Sequence, residues 1–336
     1  MGTRRSLRAL SPQLRRDLDV GNLMDWKVYA TVYIPDHADP FQEHSLTISI
    51  EHAQSARKSL LEDGYCMVDD AITTAFLSEL RDWADHLLNT TEPLPYWKYQ
   101  GSDIKIDGLR RASNADPDWL PEVYQGRPEN PKDEIVDRLI EWPSQVLDAL
   151  GLSDFHSDDS VTIISKPPKS VPLYWHQDWW HWDDPISGAP WPQQVFLSWY
   201  LSETDRTNGC LRVIPGSHLE RTDLHDHLIP AHEGGGFTVD EDNEWMFLDH
   251  PDAIDVPARP GQLFIGDARL LHGTYRNMSN QRRTVLLGWY YRGSYDVPSD
   301  WEAEVPRQIL ERPSDFPPRW NREPGAHLAS ANNSTA

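Results

Sequence analysis

The sequence predicts a mainly β fold, a sandwich or barrel with helices packed on its outside, and three observations carry that prediction. Helical patterns come first, before residue 151. Short runs rich in Val, Ile, Leu and aromatic residues follow, separated by Gly, Pro, Asn and Asp clusters. No internal repeat divides the 336 residues, a length that suits one large domain or two small ones. Helices first and strands afterwards bury their apolar faces by setting a helical layer against a sheet system.

Residues 1–50 show no sustained period and read as an N-terminal extension packed on the main body. Glu51 to Glu62 has helical composition and stops at Gly64, giving way to Tyr65-Cys66-Met67-Val68 as a short strand. Thr73 or Thr74 can cap a helix to about Leu88, with Phe76, Leu77, Leu80, Trp83, Ala84 and Leu87 on one face. Residues 91–132, rich in Pro, Asp and Gly, read as a long loop over one end of the core, where substrate contacts concentrate. A further helix over about Lys132 to Leu150 is expected to break at Pro143. Five strand-like runs come next: Val161–Ser165, Val195–Leu201, Cys210–Ile214, Gln262–Ile265 and Thr284–Tyr291. From about Pro313 the composition predicts a flexible tail. A single domain is therefore expected over 51–312, helical over 51–150 and β over 151–292.

Asp and Glu number 53 against 31 Lys and Arg, a net charge of −22. That argues against nucleic-acid or anionic-membrane partners, which reward basic surfaces, and leaves room for one local basic pocket. Two cysteines, Cys66 and Cys210, form neither a disulfide framework nor a zinc-finger spacing. The N-terminus has arginines but no apolar stretch of signal-peptide length, and no segment approaches the roughly 18 apolar residues of a membrane span. The expectation is a soluble cytoplasmic protein.

The chemistry concentrates in Tyr174-Trp-His-Gln-Asp-Trp-Trp-His-Trp-Asp183. In an extended backbone His176 and Asp178 share a side, so one imidazole and one carboxylate converge. A second histidine would complete the two-histidine, one-carboxylate face that leaves open positions on non-haem Fe(II). His-x-Asp alone says little, since it also starts at His37, His156, His181 and His250. His176 follows a strand and precedes several more, and His181-Trp182-Asp183 is its rival on the same loop. His272 ends a strand-like segment that opens at the Pro260-Gly261 turn. Eleven residues on, Arg283 opens an apolar strand. A buried arginine there needs an anionic partner, which a bidentate carboxylate would satisfy.

His176-x-Asp178, His272, Arg283 and the intervening Asn208-Gly-Cys-Leu-Arg-Val-Ile-Pro-Gly-Ser-His218 resemble the phytanoyl-CoA dioxygenase family over roughly residues 55–292. The resemblance implies a double-stranded β-helix (jelly roll, cupin-like) and the cofactors Fe(II), 2-oxoglutarate and O2. It makes His176, Asp178 and His272 the metal ligands and Arg283, rather than Arg282, the partner of the distal 2-oxoglutarate carboxylate, with Thr274 adding a hydroxyl. Strand alternation then puts Val285 and Leu287 on the same inner side as Arg283. The implied reaction is hydroxylation of an unactivated C–H of a small-molecule substrate, with release of succinate and CO2. Asp178 argues against halogenation, because halogenating relatives lack that carboxylate.

Trp179, Trp180 and Trp182 either line the substrate pocket or serve plain packing. Lys98, Lys105 and Lys166 are candidates for substrate contact, with Lys105 kept as a pocket residue and solvation the better reading of each. His218 and Cys210 read as structural. Desaturation, epoxidation or cyclisation would use the same cofactors. A non-catalytic β-sandwich with a vestigial site would be favoured by loss of a ligand or of Arg283, and none is lost. A zinc hydrolase would use the same donor set but leaves Arg283 without a comparable role.

Overall fold

The computed structural model describes residues 49–90, 109–113, 134–157, 159–179, 185–227 and 244–292. All belong to the second of two units into which the chain divides, residues 44–336. Most of the N-terminal extension, the 313–336 tail and most of 91–132 lie outside the described residues.

Helix α1 (Ile50–Glu62) starts where Ser49, in extended backbone, accepts a hydrogen bond from His52 N at 3.2 Å. Helix α2 (Thr74–Thr90) starts at Thr73, whose Oγ1 accepts from Phe76 N at 3.2 Å, so Thr73 is the cap used. Its buried residues Phe76, Leu77, Leu80, Ala84, Leu87 and Leu88 recur at helical spacing. The expected third helix is two, α3 (Glu134–Glu141) and α4 (Ser144–Ala149), because Pro143 between them has no N–H to continue the ladder.

Two antiparallel sheets follow. The larger holds β1 (Tyr65–Val68), β2 (Leu109–Ser113), β3 (Phe155–Ser157), β4 (Ser160–Lys166), β6 (Gln194–Tyr200), β9 (Leu263–Asp267) and β11 (Arg283–Arg292). Its order is β1-β9-β6-β11-β4-β2, with β3 also on β11. The smaller sheet, in the order β5-β10-β7-β8, holds β5 (Leu173–His176), β7 (Leu211–Val213), β8 (Ile254–Val256) and β10 (His272–Thr274). Strand β2 corrects the loop expected over 91–132, because it pairs along its whole length with β4. Strands β3, β5, β8 and β10 have no counterpart among the five expected runs. At three or four residues, with polar residues, histidine or glycine among them, they show neither a sustained period of two nor the apolar run that marks the equally short β1 and β7.

The pleat sorts side chains into two clusters. Leu286 and Tyr290 of β11 and Val195, Leu197 and Trp199 of β6 pack with α1–α4. Val285, Leu287 and Trp289 of β11 join Phe196 and Tyr200 of β6, Phe264 of β9, Leu211 and Val213 of β7 and Val256 of β8. This second cluster fills the space between the sheets, so the sandwich or barrel is a jelly roll with its helices outside the larger sheet. Burying either set of large side chains stabilises the fold by about 1.5–3 kcal/mol per residue. Among the described residues no helix is long and apolar enough to cross a membrane.

Candidate metal centre

His272 and His176 are direct partners across β10 and β5, which brings their ring centroids to 4.1 Å. Gly273 permits that approach. A Cβ on it would lie 2.9 Å from the carbonyl oxygens of both Leu173 and Tyr174, so a side chain would push β5 away. Each imidazole anchors itself to its own chain: His176 Nδ1 lies 3.0 Å from Tyr174 O, and His272 Nδ1 lies 2.9 Å from Leu270 O. A carbonyl only accepts, so each Nδ1 carries a proton, and in the neutral ring Nε2 is the nitrogen with the lone pair. Phe196 stacks on the His272 ring at 4.6 Å and holds it from the larger sheet.

Asp178 is placed by backbone. Its N–H and that of Trp179 donate to Ala268 O at 2.8 and 2.9 Å, tying the chain after His176 to the chain before His272. Its Oδ1 lies 3.7 Å from His176 Nε2, and Trp289 Nε1 donates to its Oδ2 at 3.0 Å. One donor atom from each of His176, Asp178 and His272 lies within 4.8 Å of the other two. All three are buried, at 8%, 8% and 5% exposure. Two imidazole nitrogens and one carboxylate so arranged fit a first-row divalent metal with open positions.

A buried salt bridge backs this loop. Arg269 binds Asp267 through Nε and Nη2 at 2.9 and 2.5 Å, and its Nη1 donates to Ser187 O and Ala189 O at 2.9 and 2.6 Å. Gln177 Nε2 donates to Arg269 O, so the residue between the two predicted ligands is tied to the same clamp. Burial alone would raise Asp267, but the Arg269 charge and hydrogen bonds outweigh it and hold the carboxyl below its ordinary range.

The inner face also carries two basic side chains. Arg283, only 3% exposed, opens β11 directly opposite Lys166 of β4. Its Nη2 donates to Gly209 O, in a turn where Gly209 adopts φ +89° and a Cβ would meet Lys166 Cδ at 2.8 Å. Lys166 is buried rather than solvated, which corrects the sequence reading. Its Nζ donates to Val171 O at 2.6 Å. Burial, and after it the charges of Arg283, Arg212 and Arg276, pull its pKa well below the ordinary lysine range. Thr274 Oγ1 is buried with no hydrogen-bond partner among the described residues. Arg282, by contrast, is exposed and pairs at 3.8 Å with Asp85.

The structure thus brings His176, Asp178 and His272 together and sets Arg283 and Thr274 inside the same roll. Trp179 is buried in the helix-side cluster and donates to Ser187 Oγ at 2.7 Å, the setting of a packing residue. Trp180, Trp182, Lys98 and Lys105 lie outside the described residues, as do His37 and the rival His181 and Asp183. His250 is engaged elsewhere, with Nε2 2.7 Å from Asp223 Oδ1. His218 and Cys210 are buried, His218 with Nε2 3.0 Å from Leu61 O. Sequence reasoning missed Phe196 and Trp289, whose signal was an even spacing along strands already recognised.

A jelly roll with two histidines and one carboxylate converging between its sheets is the architecture of non-haem iron oxygenases. The chain belongs to the phytanoyl-CoA dioxygenase (PhyH) family, whose model matches residues 60–285. It is 30% identical over 149 residues to an ectoine dioxygenase of Sphingopyxis alaskensis, covering 41% of this chain and 47% of the relative. It is 28% identical over 189 residues to a probable alpha-ketoglutarate-dependent hypophosphite dioxygenase of Stutzerimonas stutzeri, covering 50% and 62%. The matches thus span about half the length of these curated relatives. The fold is similar to that of the non-haem alpha ketoglutarate dependent epimerase SnoN from nogalamycin biosynthesis, with a TM-score of 0.50 and 19% identity over 73% of this chain and 84% of that one.

Proposed function

We propose that residues 51–312 form one Fe(II)- and 2-oxoglutarate-dependent dioxygenase domain that hydroxylates an unactivated C–H of a small-molecule substrate. The observation that carries this reading is the buried His176, Asp178 and His272 triad, set in one roll with the buried cation Arg283. The zinc-hydrolase alternative accounts for the triad but not for that cation. Desaturation, epoxidation or cyclisation would draw on the same residues, with the pose of the substrate deciding among them.

Fe(II), with 2-oxoglutarate and O2, supplies oxidative decarboxylation to succinate and CO2 and the oxidising equivalent that converts C–H to C–OH. The protein's own groups do the holding. His176 and His272 present Nε2 because Nδ1 is committed to backbone carbonyls. Asp178 adds the one negative charge, which offsets part of a divalent charge in a buried site. Arg283 would pair with the distal carboxylate, Lys166 would add a second charge opposite it when protonated, and Thr274 Oγ1 would donate a hydroxyl hydrogen bond. Phe196, Phe264 and Val285 exclude water between these two ends.

The relatives named for ectoine and for hypophosphite support a small-molecule substrate. The net charge of −22 supports neither nucleic acid nor anionic membrane as a partner. Two buried, unbridged cysteines support a reducing, cytoplasmic setting. The test is succinate formation from 2-oxoglutarate in the presence of Fe(II), O2 and a panel of small molecules. Fe(II)-dependent succinate that rises with one of them and vanishes in His176→Ala supports the reading. Turnover that survives in His176→Ala would refute it.

A further inference from the structure

We propose that Trp289 is a positioning residue for the metal carboxylate: its indole N–H holds Asp178 Oδ2, which turns Oδ1, the oxygen nearer His176 Nε2, towards the metal. This rests on the metal reading above and goes beyond it.

The two carboxylate oxygens stand in different environments. Oδ1 faces Nε2 of His176 at 3.7 Å. Oδ2 accepts the Trp289 N–H at 3.0 Å, a charge-assisted hydrogen bond across the roll from the larger sheet to the loop after β5. Indole is a donor without an acceptor face and does not titrate, so it can only hold Oδ2 in place. The strand fixes the ring. Trp289 lies directly opposite Phe196, which stacks on His272, so neighbouring strands of one sheet grip two members of the triad.

The consequence is one of coordination number. A carboxylate bound through both oxygens would take four positions together with two histidines and leave two of six. A 2-oxo acid would take two positions and O2 another. Three must stay open, which requires the carboxylate to bind through one oxygen. A hydrogen bond to Oδ2 favours that, because it competes for one of the oxygen's lone pairs and holds the carboxylate before any metal arrives.

The test is titration with Co(II) as a spectroscopic substitute, in wild type, in Trp289→Phe, and in protein carrying a benzothiophene in place of the indole at that one position. Benzothiophene keeps the ring volume and removes the donor, so it separates the hydrogen bond from packing. Circular dichroism establishes that each variant is folded. Both variants are expected to bind Co(II) about 10–100-fold more weakly, the usual penalty for losing such a partner, and to show an altered visible ligand-field spectrum. Should Trp289→Phe not fold, the benzothiophene protein decides the matter alone. A benzothiophene protein with wild-type affinity and spectrum would overturn the proposal while leaving the metal site intact. Wild-type protein that binds no Co(II) would overturn both.

Discussion

Lys166 and Arg283 stand directly opposite each other on β4 and β11, both buried on the inner face of the roll. Like charges so paired destabilise a sheet, and burial adds to the penalty. An anion bound between them would offset both effects, so the pair is read as half of a carboxylate site. Only the protonated lysine attracts the carboxylate, and its lowered pKa brings its deprotonation into a milder range than an ordinary lysine's. The 2-oxoglutarate Kd is therefore expected to weaken as pH rises through that lowered range. In Lys166→Met it should be about 10–100-fold weaker on the acid side of that range, where the wild-type lysine is protonated, and flat with pH. The sign for stability follows. With the folded pKa below the unfolded one, the unfolded chain binds more protons between the two values, so unliganded stability rises with pH there. Lys166→Met should lose that rise, as measured by urea unfolding at several pH values.

Arg283 and its neighbour Arg282 provide an internal control. Arg283→Gln is expected to weaken 2-oxoglutarate binding by on the order of 100-fold, from the loss of charge-assisted hydrogen bonds. Arg282→Gln removes an exposed pair with Asp85 and should change stability by about 0–1 kcal/mol and binding not at all. Calorimetric titration with 2-oxoglutarate in the presence of metal compares the two.

Gly273→Ala forces a methyl group to 2.9 Å from two backbone carbonyls of β5. The strands must part, at a cost of about 1–3 kcal/mol, and the His176 and His272 rings part with them. Loss of metal affinity together with a lower Tm is the expected result. A serine at this position should do the same, because the clash begins at Cβ.

Breaking the Arg269–Asp267 pair leaves a buried, uncompensated carboxylate and frees three backbone carbonyls at Ser187, Ala189 and Trp191. Arg269→Met is expected to destabilise by about 3–5 kcal/mol in chemical unfolding. Adding Asp267→Leu should recover part of that loss, since the stranded charge is then gone.

How much of this was legible in the sequence depended on element length. The runs that became β6 and β11 were placed within a residue of their true ends, because seven to ten residues display strand composition clearly. Strands β5 and β10, at four and three residues, display none, yet their pairing is what carries His176 to His272. The triad residues were readable from motif and spacing, but the Gly273 contact that lets them meet is a property of two strands distant in sequence. Lys166 was misread because a lysine before two prolines looks like a solvated strand end. Counting alternate residues back to Ile164 would have turned it inward. The same count, carried from Arg283 past Leu287, reaches Trp289.

The central claim is that one site holds both a metal and a 2-oxo acid. Anaerobic titration of the metal-free protein with Fe(II) and then 2-oxoglutarate tests it most directly, by following the weak metal-to-ligand charge-transfer absorption in the visible. The account predicts a band in wild type that is lost in His176→Ala and needs much more 2-oxoglutarate in Arg283→Gln. Bound Fe(II) with no band in wild type, or a band indifferent to both substitutions, would contradict it.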